Sequence, residues 1–110
     1  MIVSNLQPPY YAVIFTTLVA DDMTDYLETA ERMEELAKQQ KGYLGIESAR
    51  NEVGITVSYW KELDDILQWK NNVEHTEARN RGREQWYQQY QLRICIVEKE
   101  YGFTKDDIRS

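Results

Sequence analysis

Cysteine, histidine and proline are scarce in this sequence: one, one and two respectively in 110 residues. A single Cys95 excludes an internal disulfide framework and a cysteine zinc site. Its setting, LRICIVE, is that of a small core residue rather than a nucleophile. His75 has no second histidine or cysteine at ligand spacing, and carboxylates alone would not select a transition metal, so no metal site is expected. Positive charge is also short. With 13 basic against 19 acidic residues the formal charge is -6, which argues against nucleic acid as a partner. No polybasic cluster marks a membrane surface, and no apolar run approaches the length of a spanning helix. The opening MIVSNLQPPY is too short and too polar for a signal peptide. A Gly-rich phosphate loop, a Ser-His-Asp arrangement and an internal repeat are all missing. These absences predict one cytoplasmic domain over 1–110, with an arm over 1–9 and a polar tail over 104–110. A chain of this size buries about two thirds of its unfolded surface, enough for one modest core.

What is present alternates between strand and helix. YYAVIFTTLV, from Tyr10 to Val19, is β-branched and aromatic, and apolar on both faces, so it reads as a strand covered on both sides. TDYLETAERMEELAKQQ follows, with Asp22 or Thr24 as candidate caps and Leu27, Ala30, Met33, Leu36 and Ala37 on one stripe. Gly42 suits the left-handed position that stops a helix. YLGIESAR and GITVSYW are strands around a turn at 51–54. ELDDILQWKNNV returns to helical spacing at Leu63, Ile66, Trp69, Lys70 and Val73. A further helical stretch from about Thr76 to Gln89 lines up Ala78, Gly82 and Trp86. Glycine inside a helix costs about 1 kcal/mol against alanine, so Gly82 suggests close approach of another backbone. YQLRICIVEKEYGF is a long last strand. Strand, helix, strand, strand, helical segment, strand is the split βαβ order of an α+β, ferredoxin-like fold. It has four mainly antiparallel strands with helices on one face. Helices cover one side only, and the strands are apolar on both. The pattern therefore predicts a homodimer through the open sheet face.

At this point the residues resemble a known family. The element order, the strand ending SYW with KELDDILQW directly after it, and NNVEHTEARNRGREQWYQQY are similar to the antibiotic biosynthesis monooxygenase family over roughly 10–103. The resemblance implies a dimeric α+β barrel with a pocket in each subunit between sheet and helices. It also implies oxygenation of a small aromatic phenol, quinol or anthrone without a cofactor. The family also contains haem-degrading enzymes, which use an asparagine on the first strand, a tryptophan on the second helix and a histidine further on. Trp69 matches the tryptophan. The first strand offers Phe15, Thr16 and Thr17 instead of asparagine, and the iron-binding position falls near Arg79, with His75 about a turn too early. Haem binding or degradation is thus not the reading the residues favour.

Within the resemblance, His75 is the candidate proton acceptor, because an ordinary imidazole titrates near 6.5. Its bland alternative is an exposed or capping histidine. Arg79, one helical turn beyond, is the candidate anion partner, and its alternative is a surface salt bridge. Trp60 and Trp69 are candidate walls for a planar ring, with core packing as the alternative. Tyr59, Phe15 and Trp86 complete the candidate lining. A different class, a non-catalytic dimeric module that binds a small ligand or serves in stress, fits the same pattern.

Overall fold

The computed structural model describes residues 2–21 and 23–105, with the side chain of Val73 left outside. Four strands form one antiparallel sheet in the order β2-β3-β1-β4: β1 Tyr10–Val19, β2 Tyr43–Arg50, β3 Gly54–Trp60 and β4 Tyr87–Val97. Helices α1 Tyr26–Lys38, α2 Leu63–Lys70 and α3 Val73–Arg81 lie on one face, and a π turn, Gly82–Trp86, leads into β4. The fold is the predicted ferredoxin-like α+β arrangement. Among the described residues no helix is long and apolar enough to cross a membrane.

Register decides which residues meet the helices. Trp60, Ala37 and Ile66 form the buried centre, with Tyr11, Val13, Tyr43 and Trp69 packed against it. Tyr11 pairs with Trp60 on one side and Ile96 on the other, so Tyr11, Val13, Phe15 and Thr17 belong to the helix-side face. Their β4 partners are Ile96, Ile94, Leu92 and Tyr90. The first three remain 57%, 46% and 47% exposed, because α1 packs over β2 and α2 over β3, while β4 is met by the π turn and, at Tyr87, by Tyr26.

The opposite face has partial cover from the chain itself. The arm crosses the β2 end, where Val3 N donates to Glu47 Oε2 at 2.9 Å and its side chain lies over Gly45. Past β4, Glu100 turns back to accept the Tyr10 hydroxyl at 2.7 Å. Tyr10 and Ala12 are consequently buried, while Ile55 stays 45% exposed.

Several expectations require correction. The inward stripe of α1 is the half-buried Tyr26, Thr29, Met33 and Leu36 with the buried Ala37; Leu27 is 75% exposed and Ala30 also faces out. Asp22 lies outside the described residues, as do 106–110 of the expected tail. Asp25, in a left-handed conformation, precedes the helix, and Thr24 gives its carbonyl to Trp86. Gly42 does take φ 82°, but α1 is already closed at Gln39; the glycine makes room for the carboxylate of Asp65, which a Cβ would overlap. The helix read through Val73 ends at Lys70, because the side chain of Asn72 accepts from His75 N and starts a new one. The helix read through Gln89 ends in the π turn, so β4 begins at Tyr87. Gly82 is approached by the ring of Tyr87, not by a backbone.

Candidate functional site

The sharp junction between α2 and α3 builds the site. Helices end with unpaired carbonyls, and the first turns of α3 supply donors to those of α2. His75 Nδ1 lies 2.9 Å from the Trp69 carbonyl. Thr76 Oγ1 and Arg79 Nη1 reach the Lys70 carbonyl at 3.3 and 3.4 Å. A carbonyl only accepts, so Nδ1 of His75 must carry the proton. In the neutral ring the lone pair is then on Nε2.

Ring stacking fixes the plane of that imidazole. His75 stacks on Trp69 with centroids 4.2 Å apart and planes 13° from parallel, and Trp69 in turn stacks on Trp60 at 6.1 Å and 27°. Trp60 is fully buried, braced edge-on by Tyr43 at 5.7 Å, and its indole N–H donates to Ser58 Oγ at 2.9 Å. Burial pushes the His75 pKa below the ordinary histidine value; the Trp69 carbonyl works against that shift, and the positive Arg79 adds to it. The ring is therefore neutral at pH 7. Arg79 keeps its Nε buried with no hydrogen-bond partner, the one such side-chain nitrogen or oxygen among the described residues. An unmet buried donor costs about 1–3 kcal/mol.

The structure thus brings together His75, Arg79, Trp69 and Trp60. Trp60, with no exposed surface, reaches a ligand only through Trp69. The remaining candidates stand elsewhere. Tyr59 points to the opposite sheet face, where it meets Tyr10 edge-on at 5.8 Å and donates to Glu47 Oε1 at 2.6 Å. Phe15 is on the helix-side face but nearer the far end, against Tyr87 and Tyr90 at 5.5 and 5.3 Å. Trp86 is buried in a separate cluster, its N–H on the Thr24 carbonyl at 2.8 Å and its ring against Tyr26. Alternation along a strand puts neighbours such as Tyr59 and Trp60 on opposite faces. Asn72 and Ser58, which hold His75 and Trp60 in place, carried no signal of that role beyond their ability to hydrogen-bond.

A family model described as antibiotic biosynthesis monooxygenase matches residues 9–81. The uncharacterized protein YqjZ of Bacillus subtilis (strain 168) is 45% identical over 102 residues, 91% of this chain and 90% of that one. Among solved structures, SnoaB, a cofactor-independent oxygenase from Streptomyces nogalater, superposes with a TM-score of 0.72 at 8% identity. The match spans 84% of this chain and 97% of its own. Rv0793 from Mycobacterium tuberculosis gives 0.73 at 10%, over 84% and 99%. At such identities these two structures speak to the fold alone.

Proposed function

The chain belongs to the antibiotic biosynthesis monooxygenase family, and from that premise we propose that it is a cofactor-independent monooxygenase of a small phenol, quinol or anthrone. The observation that carries the reading is the fixed His75 imidazole: neutral, flat on Trp69, with Nδ1 committed to a carbonyl and Nε2 left as a base. For an anthrone, Nε2 takes a proton from the ring methylene. The resulting carbanion is conjugated with the ring oxygen and reduces O2. One methylene and one O2 give one carbonyl and one water, with no electrons required from elsewhere. Arg79, positive and beside the His75 ring, would stabilise the developing oxyanion through its charge, an interaction strongest where water is excluded. Trp69, stacked against both His75 and Trp60, holds the imidazole in its plane and offers a substrate its ring edge. The half-exposed Leu92, Ile94 and Ile96 give an apolar floor on the uncovered part of the same sheet face.

A second copy against the remaining open sheet face, in a cytoplasmic setting, belongs to the same proposal. The cofactor-independent oxygenase named among the structural neighbours supports the oxygenase part of this reading. A second reading, a non-catalytic module for a small apolar ligand, is favoured by Trp60, whose complete burial uses part of the sheet–helix space for packing.

Oxygen uptake by the metal-free protein separates the two. Hydroxyanthrones, quinols and catechols would be offered with no cofactor. Catalysed uptake that falls about 10²–10⁴-fold in His75→Ala, the usual worth of a general base, supports the oxygenase. Uptake equal to the uncatalysed rate across the panel, with saturable quenching of tryptophan fluorescence by the same compounds, supports the binding module.

A further inference from the structure

The other end of the helix-side face carries a second polar group, separate from the His75 site. From Tyr11 to Thr17 along β1 is roughly 20 Å at the usual strand rise. Four residues stand there in one row across the sheet: Arg50 on β2, Gly54 on β3, Thr17 on β1 and Tyr90 on β4. Because Gly54 has no side chain, the Arg50 guanidinium lies across it, and a Cβ at position 54 would overlap that group. Its Nη2 donates to Thr17 Oγ1, a hydroxyl on a residue only 3% exposed. From α1, Tyr26 presents its ring to the guanidinium with the centroid 5.9 Å from Cζ, and Tyr26 is hydrogen-bonded to Tyr87. A second glycine seats Tyr87, since a Cβ at Gly82 would lie 2.6 Å from its Cε2. The π turn Gly82–Trp86 delivers that tyrosine to the start of β4, and single π turns often mark functional sites.

No ion pair among the described residues involves Arg50. A hydroxyl, a ring face and the gap over a glycine hold it instead. Nearby, Arg83 turns to the Tyr90 hydroxyl at 2.6 Å.

We propose that Arg50, with the hydroxyls of Thr17, Tyr26 and Tyr87, is a binding site for the carboxylate of a small aromatic acid. One guanidinium with no carboxylate partner among the described residues matches a single negative charge and the planar, two-oxygen geometry of a carboxylate. Thr17 accepts from Arg50, so its own proton is available to donate. Burial and the hydrogen bond to Tyr26 both push the Tyr87 pKa up, so Tyr87 donates to Tyr26 and thereby orients the Tyr26 hydroxyl, whose own proton is left for the acid. Phe15 and Tyr87, edge to face at 5.5 Å, provide the apolar wall for the ring of the acid. This site does not depend on the oxygenase reading.

The test is a titration of the full chain with sodium benzoate at constant ionic strength, followed by NMR of the Arg50 Nε–H and the tyrosine rings. Inorganic phosphate and acetate are titrated in parallel. Saturable benzoate shifts at these groups are expected, with acetate weaker because it lacks the ring. Arg50→Gln should weaken benzoate binding about tenfold or more, the worth of a charge-assisted hydrogen bond. Tyr87→Phe, which keeps the ring and removes only the hydroxyl, should weaken it several-fold and serves if Arg50→Gln does not fold. Benzoate shifts that stay linear, or affinity unchanged in both variants, would overturn the site. Phosphate binding tighter than benzoate would overturn the carboxylate assignment.

Discussion

The imidazole of His75 lies flat on the indole of Trp69 while its Nδ1 bonds that tryptophan's carbonyl 2.9 Å away. One residue thus fixes both the plane and the tautomer of the other. That coupling makes the protonation state of His75 visible in the tryptophan signal and in stability.

His75 titrates below the ordinary histidine value because it is buried. An imidazolium against an indole quenches it, so tryptophan fluorescence should fall with a midpoint below about 6.5 and lose that step in His75→Gln. The sign of the stability effect follows from proton uptake. As pH falls through about 6.5 the unfolded chain binds a proton before the folded one does, so this group's contribution to stability is full above that pH. It declines towards the lower folded pKa and is level beneath it. The melting temperature of the wild type should therefore drop more than that of His75→Gln between pH 7.5 and pH 5. Equal drops would mean that His75 is not buried as described.

The stack rests on Trp60, which is fully buried and anchored on Ser58. Trp60→Ala should cost about 3–5 kcal/mol in urea unfolding, the usual loss for a buried tryptophan. Ser58→Ala, which orphans only the indole N–H, should cost about 1–3 kcal/mol. If Trp60→Ala costs less than Ser58→Ala, Trp60 is not the centre of the core.

Element order was legible because periods of two and of about 3.6 alternate cleanly along the chain. Boundaries were not. Val73 continues the apolar spacing of α2, which hid the cap that Asn72 gives to α3. Leu27 is apolar and Thr29 polar, yet the helix buries the threonine edge because Tyr26, one turn earlier, packs against Trp86 and Tyr87. A π turn has no pattern of its own, so Gly82–Trp86 read as ordinary helix. Of the candidate site, His75 and Trp69 share a helical junction and were found together. Phe15, offered by its place on the first strand, and Trp86, offered by its neighbours in REQWYQQY, go to the far end, Phe15 by the register of β1 and Trp86 by the π turn.

Gly42 holds a positive φ of 82° and borders the buried Asp65, whose carboxylate accepts from the Glu62 N–H at 3.2 Å and caps α2. Gly42→Ala should destabilise by more than about 1 kcal/mol, since it combines an unfavourable backbone with an overlap. Gly102, with open space around it, is the internal control, and its alanine variant should unfold at the wild-type midpoint. Equal midpoints for the two variants would remove the role assigned to Gly42.

The arm and Glu100 cover the Tyr10 and Tyr59 end of the open sheet face, leaving Ile14, Val57 and Ile55 as the uncovered apolar part. If a second copy supplies the rest, that surface becomes fully buried, and a charge there must be desolvated at a cost of several kcal/mol. Ile14→Glu should then halve the mass seen by light scattering while the monomer keeps its far-UV spectrum. Glu47 anchors the arm through Val3 N and the Tyr59 hydroxyl. Glu47→Ala should release the arm without dissociating the dimer, because both bonds lie within one chain. A wild type of monomer mass would overturn the dimer, whereas Ile14→Glu of unchanged dimer mass would place the partner on another surface, such as the exposed row of Leu92, Ile94 and Ile96.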